Sequence, residues 1–201
     1  YSISIGMPTG IAALIVTLQP VLTNALSGPI LNEKVTIKQW IGVLLGFSGA
    51  AIVLGLDIGT NIPINGLIAT IIALIAITSS TIWQKKLSNK LPLSVSNMYQ
   101  ALGGVIFHLT IIIFFSKPYI NFSETFIIAM GHQIFLVSFG AFTILMYLIK
   151  NNSASKTVSI FFLIPATSAF MAWLFLNENL TNIDLLGFLI TSMGVYIATR
   201  D

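Results

Sequence analysis

The chain has no cysteine among its 201 residues, which excludes disulfides and thiolate metal sites. It has little charge: Asp, Glu, Lys and Arg make up 7% of it, against about 25% in a soluble protein. All six acids fall in loops or at the ends of apolar runs, and no His-Glu-x-x-His occurs. An intramembrane enzyme needs a nucleophile with its base, or paired metal-binding carboxylates, inside the bilayer. No enzyme, catalytic residue, metal or cofactor is therefore expected. The net charge is only +3, and the basic residues sit in connections between apolar runs, so no nucleic-acid partner is expected. No stretch alternates with period two, so no sheet is expected.

What the chain has is long apolar runs. Hydrophobic residues are 56% of it, and seven long stretches carry no charge: 1–32, 39–56, 58–84, 91–116, 125–149, 157–177 and 185–199. A spanning helix needs about 20 largely apolar residues. A charge at its centre costs roughly 2.5–3.5 kcal/mol on insertion scales, which explains the clustering. The pattern predicts an all-α, polytopic membrane bundle with the lipid bilayer as its surroundings. The spans fall at about 8–31 (A), 37–56 (B), 64–87 (C), 93–116 (D), 126–149 (E), 153–177 (F) and 183–199 (G).

One stretch occurs twice. Residues 18–49 align without a gap on residues 163–194, an offset of 145. The identical pairs are Leu18/Leu163, Pro20/Pro165, Leu31/Leu176, Asn32/Asn177, Glu33/Glu178, Thr36/Thr181, Gly42/Gly187 and Gly49/Gly194. Two prolines, two Asn-Glu pairs and four glycines at one offset mark an internal duplication.

Sidedness follows from the lysines. Basic residues gather on the cytoplasmic side of short loops. Seven spans in series put Lys34, Lys38, Lys85, Lys86, Lys90, Lys150, Lys156 and Arg200 on one side, and Lys117 alone on the other. The first side is then cytoplasmic, and so is the C-terminus, in a multi-pass protein of the cell membrane. From A to its copy F is an odd number of helices, so the halves are inverted. Lys34 and Lys38 correspond to Asn179 and Ile183, a loss of charge on the outward copy. Inverted repeats are a common plan of secondary transporters. By the same offset, span C's counterpart would open before Tyr1. About 80 further residues, or three helices, are expected upstream, which would make these seven spans part of ten.

The repeated pattern resembles the EamA-like branch of the drug/metabolite transporter superfamily. It rests on Pro20, Leu31-Asn32-Glu33, Thr36, Gly42 and Gly49, and again on Pro165, Leu176-Asn177-Glu178, Thr181, Gly187 and Gly194. Lys85-Lys86 closing span C, Gln100 with Gly104, and Ser153-Ala154-Ser155 before span F fit as well. The chain departs from the family where a mid-span Trp is replaced by Ile77, and where an acid before the first proline is replaced by Gln19. The resemblance implies two inverted five-helix repeats: residues 1–60 as the last two helices of the first, 64–201 as the second. It also implies a central cavity and transport of small organic metabolites, often export, by alternating access. A non-transporting membrane subunit or scaffold, or a degenerate transporter fragment, is the alternative.

Each candidate residue carries two readings. Pro20 and Pro165 remove the hydrogen-bond partners of the Val16 and Phe161 carbonyls, either as a kinked, substrate-facing pair or as packing kinks. Helical spacing puts Asn97, Gln100, Gly104 and His108 on one face of span D, and Gly140, Thr143, Tyr147 and Lys150 on one face of span E. Gln19, Thr23 and Ser27 share a face of span A, and Ser80 and Gln84 one of span C. Such polar faces either hold the bundle together or line a cavity. Gln19, Gln100, His108 and Tyr147 are the candidates for solute contact, and suit a polar, weakly charged organic substrate. His108 is the one ionisable group near mid-span. Glu33 and Glu178 are read as tying loop backbone to the next helix start, with gating as the alternative. Gly42, Gly46 and Gly49 permit close helix approach, within the bundle or across a homodimer.

Overall fold

A computed structural model of the chain describes residues 1–55, 62–88, 90–115, 119–176 and 181–200. Its helices are α1 (Thr9–Val16), α2 (Gln19–Leu31), α3 (Ile37–Leu54), α4 (Ile64–Ser88), α5 (Leu93–Phe115), α6 (Glu124–Gly131), α7 (Phe142–Asn151), α8 (Ala154–Ser159), α9 (Leu163–Leu176) and α10 (Asn182–Thr199). A π-helical segment, His132–Ala141, joins α6 to α7, and a 3-10 turn, Ile160–Phe162, joins α8 to α9. No strand occurs among the described residues. Counted through these joints, seven helical runs among the described residues are long and apolar enough to cross a membrane. This is a multi-pass membrane protein, and its runs match the seven expected spans within about two residues.

Spans A and F are each broken rather than merely kinked. The break at Thr17-Leu18 corresponds, at the repeat offset, to Phe162-Leu163. Pro20 and Pro165 lie in the first turns of α2 and α9, where a missing N–H is tolerated. The duplicated proline thus starts a new helical segment in both halves.

The Leu-Asn-Glu-x-x-Thr motif divides into three structural tasks. Asn32 ends α2 with φ 56°, the left-handed conformation that Asn tolerates better than other non-glycine residues. Thr36 caps α3: its Oγ1 accepts from Gln39 N at 3.2 Å, and Gln39 Oε1 accepts from Thr36 N at 2.8 Å. Thr181 and Asp184 repeat this box at α10, with Asp184 Oδ2 accepting from Thr181 N at 2.8 Å. Glu33 departs from expectation. Its carboxylate does not serve the following helix, which Thr36 and Gln39 already cap. It accepts the Ala154 N–H at the start of α8, at 2.9 and 3.1 Å, from 121 residues away. Glu178, with Asn177 and Asn179, lies outside the described residues, as do Asp57 and Lys117.

The chain divides into two compact units: Tyr1–Trp83 with Asn152–Asp201, and Gln84–Asn151. In the first, α3 and α10 cross antiparallel on their glycines. A Cβ on Gly42 would lie 2.7 Å from the Gly194 carbonyl oxygen, and one on Gly49 2.7 Å from that of Gly187. The offset of 145 exchanges these two contacts, so a local two-fold axis passes between the helices. Two inverted copies meeting face to face produce this self-complementary geometry. Lipid offers no hydrophobic drive between helices, so close backbone approach is what holds them. The glycine stripe of α3 is thus engaged within the chain. Phe162, fully buried, packs on Gly46 beside Val43, Ala50, Val195 and Ala198.

The second unit holds the end of α4, α5, the run from α6 to α7, and their turns. Lys85 Nζ donates to the Ile149 and Lys150 carbonyls at 2.8 and 3.3 Å, a cationic cap on the C-terminal end of α7. Met146 and Ile149 are buried in α7.

Candidate functional site

A cavity of about 760 Å³ lies within the first unit, between the two broken spans. Such a volume suits a small organic molecule. Val16, Gln19 and Pro20 line it, and so do their repeat counterparts Phe161, Ile164 and Pro165. The cavity therefore straddles the axis that relates the halves. Val16 and Phe161 are the residues whose carbonyls the prolines leave without a helical donor. Ile77 adds a mid-helix wall from α4, while Trp83 is exposed on the same helix. Thr9 and Gly10 of α1 and Val53 and Leu54 of α3 complete one end. Among the described residues the lining carries no charge, and its polar side chains are Thr9, Thr17, Gln19 and Ser168.

Gln19 is 3% exposed, and its Nε2 donates to Thr81 Oγ1 at 3.1 Å. Thr81 in turn donates to the Ile77 carbonyl at 2.9 Å. This chain orients the Gln19 amide at the cavity edge.

Beyond the prolines, toward the α2 C-terminal end, the packing is tight and polar. Thr23, Asn24 and Ser27 of α2 are buried, as are Ser155 and Ser159 of α8. Ser155 Oγ donates to Asn24 Oδ1. Ser159 Oγ donates to the Ser155 carbonyl at 2.8 Å, and Ser27 Oγ to the Thr23 carbonyl at 2.6 Å. Asn24 Nδ2 and Thr23 Oγ1 are buried with no partner among the described residues. Asn24 escaped the sequence reading because it stands one residue off the Gln19–Thr23–Ser27 stripe. Its proximity to Ser155 could not be inferred from spacing.

The other solute candidates lie in the second unit. Gln100 and His108 are exposed on α5, no described residue of which is buried. His108 Nδ1 is 2.7 Å from the Gly104 carbonyl one turn earlier. Tyr147 is 58% exposed on α7. The structure thus brings Gln19, Pro20 and Pro165 to one cavity, and carries Gln100, His108 and Tyr147 in the other unit.

Broken, duplicated helices around a cavity on the repeat axis define a polytopic helical membrane protein of the inverted-repeat class. The chain belongs to the EamA-like transporter family, whose family model matches residues 2–55 and 64–200. It is similar to the uncharacterized transporter YvbV of Bacillus subtilis, with 29% identity over 92% of this chain and 61% of that protein. It is also similar to a probable amino-acid metabolite efflux pump of Salmonella typhimurium, with 24% identity over 98% of this chain and 69% of that one. A solved crystal structure shares the fold with a TM-score of 0.81 at 16% identity, over 96% of this chain and 67% of that chain. The chain spans about six-tenths of the length of the Bacillus subtilis relative.

Proposed function

We propose that the protein is a secondary transporter that exports small organic metabolites by alternating access. The observation that carries this reading is the cavity on the repeat axis, walled by both proline breaks and edged by Gln19. The described lining, with a few hydroxyls, one amide and no charge, suits a polar solute without strong net charge, such as a zwitterion or an amide. The efflux pump among the relatives is named for amino-acid metabolites, which is compatible with that chemistry. Gln100, His108 and Tyr147 are proposed as further solute contacts.

The repeat supplies a route for the cycle. The buried Asn24–Ser155 contact closes one end. Its counterpart at the 145-residue offset is Gly10–Ala169, and both of those residues line the cavity. We assign the Asn24–Ser155 contact to an inner gate, closed here, and the Gly10–Ala169 pair to an outer gate that closes in the opposite state. Exchange of two related conformations across an inverted repeat is the expected form of alternating access.

In the intact protein, Gln19→Ala is expected to lower export about tenfold through loss of roughly 1.4 kcal/mol of solute contact, with membrane abundance unchanged. The assay is resistance to, or release of, a panel of amino-acid analogues in an overexpressing strain. Normal export by Gln19→Ala would remove that residue from the site.

Sidedness has its own test. Reporter tags at the C-terminus and at Ser88 should report cytoplasm, and a tag at Asn121 the exterior. The same side for the C-terminal and Asn121 tags would overturn both the orientation and the gate assignment.

A further inference from the structure

The repeat relates the residues that line the open end of the cavity to residues packed shut at the other end. Gly10, Ser168 and Ala169 line the cavity, and at the 145-residue offset their counterparts are Ser155, Thr23 and Asn24. Pro20 exchanges with Pro165 and Gln19 with Ile164, all four in the lining, so the middle of the cavity maps onto itself. The two ends differ in chemistry. The open end offers one hydroxyl at these three positions, and the closed end an amide and two hydroxyls.

The closed end also holds polar atoms in excess of its hydrogen bonds. Thr23 and Asn24 are 0% and 1% exposed, yet Thr23 Oγ1 and Asn24 Nδ2 have no partner among the described residues. Buried polar groups are ordinarily paired, so two adjacent exceptions call for a ligand or for a state that uses them. Ser155 Oγ is engaged only with Asn24 Oδ1 across the gate, and is freed when the two part. Gln19 supplies the opposite polarity. Thr81 Oγ1 gives its proton to the Ile77 carbonyl, so toward Gln19 it can only accept. That fixes Gln19 Nε2 on Thr81 and leaves Oε1 as the acceptor at the cavity edge.

We propose that Thr23, Asn24 and Ser155 form the inner loading site for a small zwitterion. Their amide and hydroxyl donors take its carboxylate, and Gln19 Oε1 takes its ammonium. The proposal rests on the alternating-access reading above and names the solute class for it. Bonds to an ionised acceptor are the stronger ones, so a carboxylate gains most from these donors. Facing outward, the same carboxylate meets a single hydroxyl, Ser168, in place of three donor side chains. The solute is therefore held more tightly at loading than at release, which suits export.

The test uses the full-length protein with any other cysteine changed to serine, locked by the Gly10→Cys/Ala169→Cys disulfide. In that state a Thr23→Cys variant should react with a water-soluble maleimide. Shielding there would overturn the alternating-access reading, and the loading site with it. Radiolabelled L-leucine and L-phenylalanine should bind the locked protein about tenfold more tightly than 3-methylbutylamine and 2-phenylethylamine, which lack the carboxylate. Asn24→Ala should weaken binding of the two amino acids about tenfold and Thr23→Val roughly fivefold, with the amines unchanged. Ser27→Ala, whose hydroxyl is bound to the Thr23 carbonyl, should have no effect. Thermal stability in detergent checks that each variant folds. Amines bound as tightly as the amino acids, no binding of either amino acid, or undiminished binding in both Asn24→Ala and Thr23→Val would overturn the loading site. With Thr23→Cys reactive, each of those results would leave the gates standing.

Discussion

Gly194→Ala is expected to strip most of the protein from the membrane. The added Cβ would lie 2.7 Å from the Gly46 Cα and 2.8 Å from the Gly42 carbonyl oxygen. These are backbone atoms of a packed helix, so no side chain can swing aside. The helices must separate, and the loss spreads to Phe162 and Val43 at the same crossing. We expect a penalty of about 3 kcal/mol, at the upper end for overpacked cores. Gly46→Leu should act similarly, because its Cβ would meet Phe162 Cδ2 at 2.6 Å. The control is Gly103→Ala on α5, where an added Cβ meets nothing within 4 Å. Membrane abundance and thermal aggregation in detergent read the difference. Equal stability of Gly194→Ala and Gly103→Ala would mean that the α3–α10 crossing does not hold the fold.

Two engineered disulfides should each stop transport, by trapping opposite states. These 201 residues hold no cysteine, so within them an oxidant can join only the introduced pair. Asn24→Cys with Ser155→Cys places sulfurs where the side chains already touch, and should form in the present state. Gly10→Cys with Ala169→Cys spans the cavity wall and should form only when that end closes. Oxidation of either pair should reduce export to that of cells lacking the protein, and dithiothreitol should restore it. Alkylation of a cysteine at Ser168 separates the two traps: accessible with the first pair closed, shielded with the second. Failure of the Gly10–Ala169 pair to cross-link during turnover would sink the gate assignment, and unimpeded export through either cross-link would do the same.

Much of this architecture was legible in the chain because lipid restricts the options. Charge cannot rest in mid-bilayer, so the charged clusters marked the span ends. The duplication made each motif its own control, and the joints at Pro20 and Pro165 were expected from it. The π-helical segment His132–Ala141 was not legible, because an extra residue per turn leaves no compositional mark there. Glu33 was assigned to a helix end correctly but to the wrong helix, because its acceptor role is filled from 121 residues away. Gln19 stood out by its place before the proline, and it lines the cavity. Asn24 was missed, and Ser155 was noted only within Ser153-Ala154-Ser155, because the two matter as a pair and a pair contact across two spans has no local signature.

The two capping boxes separate inheritance of shape from inheritance of charge. At Thr36 the reciprocal acceptor is an amide, Gln39; at Thr181 it is a carboxylate, Asp184. Both close the same ring of hydrogen bonds, because the cap requires an oxygen at that reach and not a charge. After duplication, that position was free to become acidic in one copy and neutral in the other while both helices kept the same start. Lys34 and Lys38 diverged to Asn179 and Ile183 under the same freedom. The charge in which the two copies differ is thus distinct from the hydrogen bonds that set the helix starts. One ancestral unit could be read in both directions without its backbone being redesigned.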